Sequence, residues 1–172
     1  MEPVTDPQLR ELLARAHIHA APPEAGIGRE LRYRPNPRRV VVVHLAETDS
    51  PAYCVDVMSR VLALDDEWVL VTRYGSIAGL ELLAGADDAA GLSFGSAERH
   101  ALAAYLCSRS THISSGTADL YVVGRKGNAL VTWDHHSVDE GISVDLQSVS
   151  DAGRLLMSLN ELGVELELFY TE

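Results

Sequence analysis

The sequence predicts an α+β fold, a single domain with helices packed against a mixed or mainly antiparallel sheet. Three observations lead there. Segments with a helical period alternate with short, β-branched apolar runs, as in Val40 to Leu45. Two of the later runs, Asp119 to Val123 and Ala129 to Trp133, are joined by Gly124-Arg125-Lys126-Gly127-Asn128, a loop of the length and composition that antiparallel hairpins use. The chain has 172 residues, 47% apolar and 23% charged, enough to bury one core without a disulfide or a metal.

Taken in order, Asp6 is a good N-cap and Pro7 suits the first helical position. Leu9, Leu12, Leu13 and Ala16 then recur on one face of a helix expected to end by His19. Residues 20–38 read as an irregular arm broken by Pro22, Pro23, Pro35, Pro37, Gly26 and Gly28, with a short edge strand at Glu30 to Arg34. The sheet-and-helix core is expected over 39–172. Val40 to Leu45 reads as a strand buried on both faces, followed by a helix capped by Ser50 and running to about Leu64, and by a strand from Trp68 to Tyr74. Gly75 to Gly95 is ambiguous, with a short helix at Ile77 to Leu83 and an acidic loop at Asp87-Asp88. A helix from Ser96 carries Leu102, Tyr105 and Leu106 on one face, and Ser108 to Gly116 reads as a polar link. After the hairpin come a third strand, Ile142 to Leu146, and a helix capped by Ser150 with the stripe Leu155, Leu156, Leu159 and Leu162. Gly163 is placed to close that helix, and Val164 to Phe169 alternates as a strand with one wet face.

Charge narrows the partners. Fourteen Lys and Arg against 25 Asp and Glu leave a net charge of −11, which disfavours nucleic acid and anionic lipid and favours encounter with basic proteins. No run approaches the roughly 18 apolar residues of a membrane span, and Met1-Glu2-Pro3-Val4-Thr5-Asp6 lacks a signal peptide's basic and apolar regions, so a cytoplasmic protein is expected. Cys54 and Cys107 stand far apart without a Cys-x-x-Cys pair and read as buried, inert thiols. Arg29, Arg32, Arg34, Arg38 and Arg39 gather five of the fourteen basic residues, and a solvated arm is the favoured reading over a phosphate grip. There is no P-loop and no Gly-x-Gly-x-x-Gly, and no cofactor is expected.

The densest group of chemical side chains is Trp133-Asp134-His135-His136-Ser137-Val138-Asp139-Glu140-Gly141, leaving one strand and entering the next. Two imidazoles and three carboxylates are ligand types that a two-metal hydrolase needs, and Asp134, His135 and His136 are its candidate ligands. The strand followed by Asp-His-His resembles the signature of DHH phosphoesterases, and His44-Leu45-Ala46-Glu47-Thr48-Asp49 resembles that family's first metal motif, with Thr48-Asp49-Ser50 in place of its Asp-x-Asp. The resemblance implies metal roles for His44, Asp49, Asp134 and His135. A solvated loop in which Asp134 and Asp139 satisfy backbone donors is the favoured alternative. His17 and His19 read as imidazoles at a helix C-terminus, a chelating pair requiring extended chain there. Gly91-Leu92-Ser93-Phe94-Gly95 matches the nucleophile-elbow pattern literally, but it follows no convincing apolar strand and reads as a Gly-bounded loop.

In general character the chain resembles the immunity proteins that bacteria keep beside polymorphic or contact-dependent toxins: small, acidic, cytoplasmic, with a strand-helix-strand core and a C-terminal hairpin, helix and strand. The resemblance implies a protein without chemistry of its own that occludes a toxin's active site. Asp134, His135, His136, Asp139 and Glu140, with Glu165 and Glu167, form the expected contact surface, and Trp68, Trp133, Phe169 and Tyr170 are anchors if exposed. The alternative is a metal-dependent, phosphoesterase-like hydrolase using Asp134, His135 and His136. Homodimerisation through an exposed edge strand, Val164 to Tyr170, is a third possibility.

Overall fold

The computed structural model describes residues 1–20, 31–33, 38–45, 49–71, 89–113, 120–134 and 141–171. The strands are β1 (Glu2–Val4), β2 (Ile18–Ala20), β3 (Leu31–Tyr33), β4 (Arg38–His44), β5 (Glu67–Val71), β6 (Gly91–Gly95), β7 (Leu120–Gly124), β8 (Ala129–Asp134), β9 (Gly141–Leu146) and β10 (Glu165–Thr171). The helices are α1 (Asp6–Arg15), α2 (Pro51–Leu62), α3 (Arg99–Ile113) and α4 (Val149–Asn160). Eight strands form one sheet in the order β1-β6-β5-β7-β8-β9-β4-β10, and β2 and β3 form a separate pair. Every pairing among them is antiparallel. The α+β single domain is therefore as expected, and its sheet is antiparallel throughout the described pairings.

Strand alternation divides the core in two. Val41 and Val43 of β4, Trp68 and Leu70 of β5, Leu92 and Phe94 of β6, Val122 and Val131 of the hairpin, and Ile142, Val144 and Leu146 of β9 pack with α2, α3 and α4. Their alternate neighbours Val69, Val71, Tyr121, Val123 and Leu130 pack instead with α1, Val4, Ile18 and Leu31. Ser50 caps α2 by accepting from the Tyr53 N–H at 3.2 Å, and α2 buries Val57, Met58, Val61 and Leu62. Trp68 is a core residue, 2% exposed, with its indole N–H donating to the Leu62 carbonyl at 2.8 Å, and is no surface anchor.

Several boundaries differ from expectation for local reasons. Thr5, not Asp6, caps α1, and Gln8 Oε1 accepts from the Thr5 N–H and hydroxyl, each at 2.9 Å. That helix stops at Arg15 because His17 adopts φ +55°, after which Ile18 to Ala20 is extended and pairs with β3. His17 and His19 therefore lie beyond the helix. Ser148, two residues before Ser150, caps α4 by accepting from the Asp151 N–H at 3.2 Å. α3 begins after a 3-10 turn at Ser96–Glu98 and continues to Ile113 through residues whose polarity suggests a link. Gly91–Gly95 is a full strand between β1 and β5, so the Gly-x-Ser-x-Gly segment is no nucleophile turn; Ser93 is buried and its hydroxyl donates to Glu67 Oε1 at 2.6 Å. The short helix expected at Ile77 to Leu83 lies outside the described residues.

The turn between α2 and β5 is organised by a buried acid. The Asp65 side chain is 1% exposed. Its Oδ1 accepts from the N–H groups of Asp66 at 2.7 Å and Glu67 at 3.3 Å, and its Oδ2 accepts from the Lys126 N–H at 3.1 Å. Arg99 of α3 donates to the Asp65 carbonyl at 3.0 Å. Gly124 is required beneath it, since a Cβ there would stand 2.9 Å from Asp65 Oδ2. Gly127, at φ +76°, lets the hairpin turn close against α1, where an added Cβ would lie 3.3 Å from the Ala16 Cα.

Removing the buried Asp65 carboxylate takes the acceptor from three part-buried N–H groups at once, so Asp65→Ala is expected to cost about 2–4 kcal/mol in urea unfolding. Gly127→Ala, strained at positive φ, is expected to cost about 1–2 kcal/mol. Between α2 and α3, burial first and the nearby Cys54 second push the Cys107 thiol from 9.0 up to about 12. Its contribution to stability is therefore complete below the unfolded value and is lost as pH rises through the folded one. The measurable outcome is that Cys107 escapes alkylation at about pH 8 until the chain is unfolded.

Candidate functional site

Of the expected contact and metal residues, Asp134, His44 and Glu165 are brought to one end of the sheet by strand register. The pairs Asp134↔Gly141, Gly141↔His44 and His44↔Glu165 set four backbone positions on a single rung across β8, β9, β4 and β10. The β8–β9 connection therefore begins and ends on the rung that carries His44 and Glu165. His135, His136, Asp139 and Glu140 belong to that connection and lie outside the described residues.

Two residues along β10, Glu167 Oε1 stands 3.3 Å from His44 Nε2. The imidazole is 25% exposed and the carboxylate 53%. The distance is that of an ion pair when the imidazole is protonated, but Nε2 is buried and has no hydrogen bond, so the contact is electrostatic in character and poorly aligned. Among the described residues no three His, Cys, Asp or Glu side chains are grouped to hold a metal. Of the residues the phosphoesterase resemblance names, His44 and Asp134 share the rung. Asp49 sits instead before α2, beside Tyr53, whose phenol is pushed above its usual value by burial first and by Asp49 second.

β10 offers a second kind of chemistry. Glu165 and Glu167 are exposed, and they share a face with Phe169, because each pairs with the same alternating set of β4, His44, Val42 and Val40. Leu168 and Tyr170 turn to the opposite face with Val41 and Arg39. Leu168, Phe169 and Tyr170 are 48%, 49% and 59% exposed, so an apolar cluster and an acidic pair occupy one edge strand. Of the expected anchors whose side chains are described, Phe169 and Tyr170 are exposed.

Arg39, expected in a solvated arm, is instead 9% exposed. Its Nε donates to the Tyr170 hydroxyl at 3.1 Å and an Nη to the Gln147 carbonyl at 2.8 Å, and the guanidinium carbon lies 5.0 Å from the Tyr170 ring centroid. Cation–π attraction and two hydrogen bonds hold this charge while positioning Tyr170. The sequence carries a signal for this: Arg39 directly precedes the Val40–Val43 run, and the strand includes it. Arg29 and Arg34 lie outside the described residues, and Arg32 and Arg38 are strand residues of β3 and β4.

The acidic run Asp65-Asp66-Glu67 likewise splits by role. Asp65 is structural, whereas exposed Asp66 lies 3.2 Å from Lys126 Nζ. No helix among the described residues is long and apolar enough to cross a membrane. Comparison of the chain with protein-family models, curated proteins and solved structures finds no match.

Proposed function

We propose that this chain is a non-catalytic acidic protein-binding domain, an immunity protein of the cytoplasm that neutralises a cognate toxin by occluding its active site. One observation carries the reading: exposed Glu165 and Glu167 stand on one face with half-exposed Phe169, on a strand paired to β4 along all seven of its residues. A surface of this kind costs little ordering on association, because the strand is already held. Its carboxylates and the chain's −11 charge steer a basic partner, and a desolvated aromatic ring supplies the lasting contact. Asp134, whose backbone stands on the rung of Glu165, extends the proposed contact surface, and His135, His136, Asp139 and Glu140 are proposed with it because they follow it in the sequence.

The second reading is a metal-dependent, phosphoesterase-like hydrolase using Asp134, His135 and His136. The shared rung of Asp134 and His44 favours it, as it brings two positions of the resembled metal motifs to one end of the sheet.

The binding reading is tested by expressing, in bacterial cells, the protein encoded beside this chain, with and without the chain itself. Growth is expected to be arrested alone and restored by co-expression. Reversing both charges, Glu165→Lys with Glu167→Lys, is expected to slow association by about tenfold or more and to abolish rescue. Failure of the unaltered chain to rescue, or full rescue by the double variant, contradicts the proposal.

A further inference from the structure

We infer that β10 pairs with β10 of a second copy of this chain, joining two eight-stranded sheets edge to edge. Such pairing needs no toxin partner: it uses the outward backbone edge of β10, whereas the contact proposed above uses the face that carries the Glu165, Glu167 and Phe169 side chains.

The two edges of the sheet are unlike. β1 has three residues with Pro3 in the middle, a short and donor-poor edge that resists further pairing. Among the described residues β10 is the opposite edge, seven residues long, without Pro, Lys or Arg. Alternate N–H and C=O groups of β10 face away from β4, and Leu168, Phe169 and Tyr170 leave apolar surface half exposed on both faces of the strand.

Symmetry selects the occupant. Two identical edge strands pair antiparallel about a two-fold axis normal to the sheet, which keeps every side chain on its own face. Facing residues must lie on the same face, so the axis passes through a residue that meets its own counterpart. Centring on Glu167 would set two carboxylates against each other. Leu168 is the midpoint of Glu165–Thr171, so centring there pairs all seven residues. Leu168 then meets Leu168, and Leu166 meets Tyr170 on either side of it. On the other face Glu167 meets Phe169 and Glu165 meets Thr171. No like charges stand directly opposite, and the apolar row continues the core, against which Leu166 already packs. Each Glu165 also falls on the rung of the other copy's Arg38, which pairs with Thr171 in β4. The strand is thus complementary to itself in the register that uses its whole length.

Sedimentation equilibrium of the full chain over about 1–100 µM tests this. The unaltered chain is expected to show twice its own mass. Leu168→Lys and Leu168→Glu place like charges at the axis and are each expected to weaken association by at least about tenfold, without opening the core because Leu168 is half exposed. An equimolar mixture of the two variants is expected to restore the dimer. In the unaltered chain, amide exchange over 165–171 should slow as concentration rises, a readout that no substitution can perturb. A monomer throughout that range overturns the inference and would leave the edge to an extended segment of another protein. A dimer in which exchange over 165–171 ignores concentration, or a variant mixture that stays monomeric, also overturns it.

Discussion

An antiparallel sheet of eight strands has two faces and two edges to keep from water and from unintended pairing, and this chain meets those four demands unequally. One face is covered by α2, α3 and α4, whose buried stripes meet Val41, Val43, Trp68, Leu70, Val122 and Val144. The other carries α1 with Ile18 and Leu31 over β5, β7 and the start of β8. The β1 edge is blunted by brevity and proline. The β10 edge keeps exposed apolar and acidic side chains together. An edge of this kind is an aggregation hazard unless something pairs with it.

The same chemical groups serve opposite ends in different surroundings. Asp65, removed from water, is an acceptor of backbone N–H groups that ties α2, β5 and the β7–β8 turn together. Glu165 and Glu167, left in water, act as charge displayed from a strand. Arg39 shows the converse, a cation buried beneath Tyr170 whose work is to hold an exposed ring in place. Charge counted along the chain does not distinguish these roles; burial does.

Periodicity makes most of the elements legible. The Val40–Leu45 run, the Ser50-Pro51 start of α2, the β7–β8 hairpin and the alternation after Gly163 each carry a strong local signal, and each is an element of the fold. β6 is hidden because two glycines flank only three informative residues, and its identity is decided by pairing with β1 and β5. The length of α3 is hidden because Ser108, Ser110 and Thr111 favour loops by their own propensity, yet all three lie in the continuing helix. Strand order is not legible at all: β4 and β5, consecutive in the chain around α2, are separated by β7, β8 and β9. Of the candidate site, Glu165, Glu167, Phe169 and Tyr170 are readable from the alternation of an edge strand. The meeting of His44 with Glu167 depends on a register that no local pattern encodes.

In the proposed function the carboxylates and imidazoles of this chain act through charge and contact, not as ligands. A titration of the purified, untagged protein with zinc and manganese, followed by thermal unfolding and elemental analysis, tests that most directly. No stoichiometric metal and no change in Tm are expected. One equivalent of bound metal, with a rise in Tm that His135→Ala or His136→Ala removes, would contradict a role through charge and contact alone and favour the hydrolase in its place.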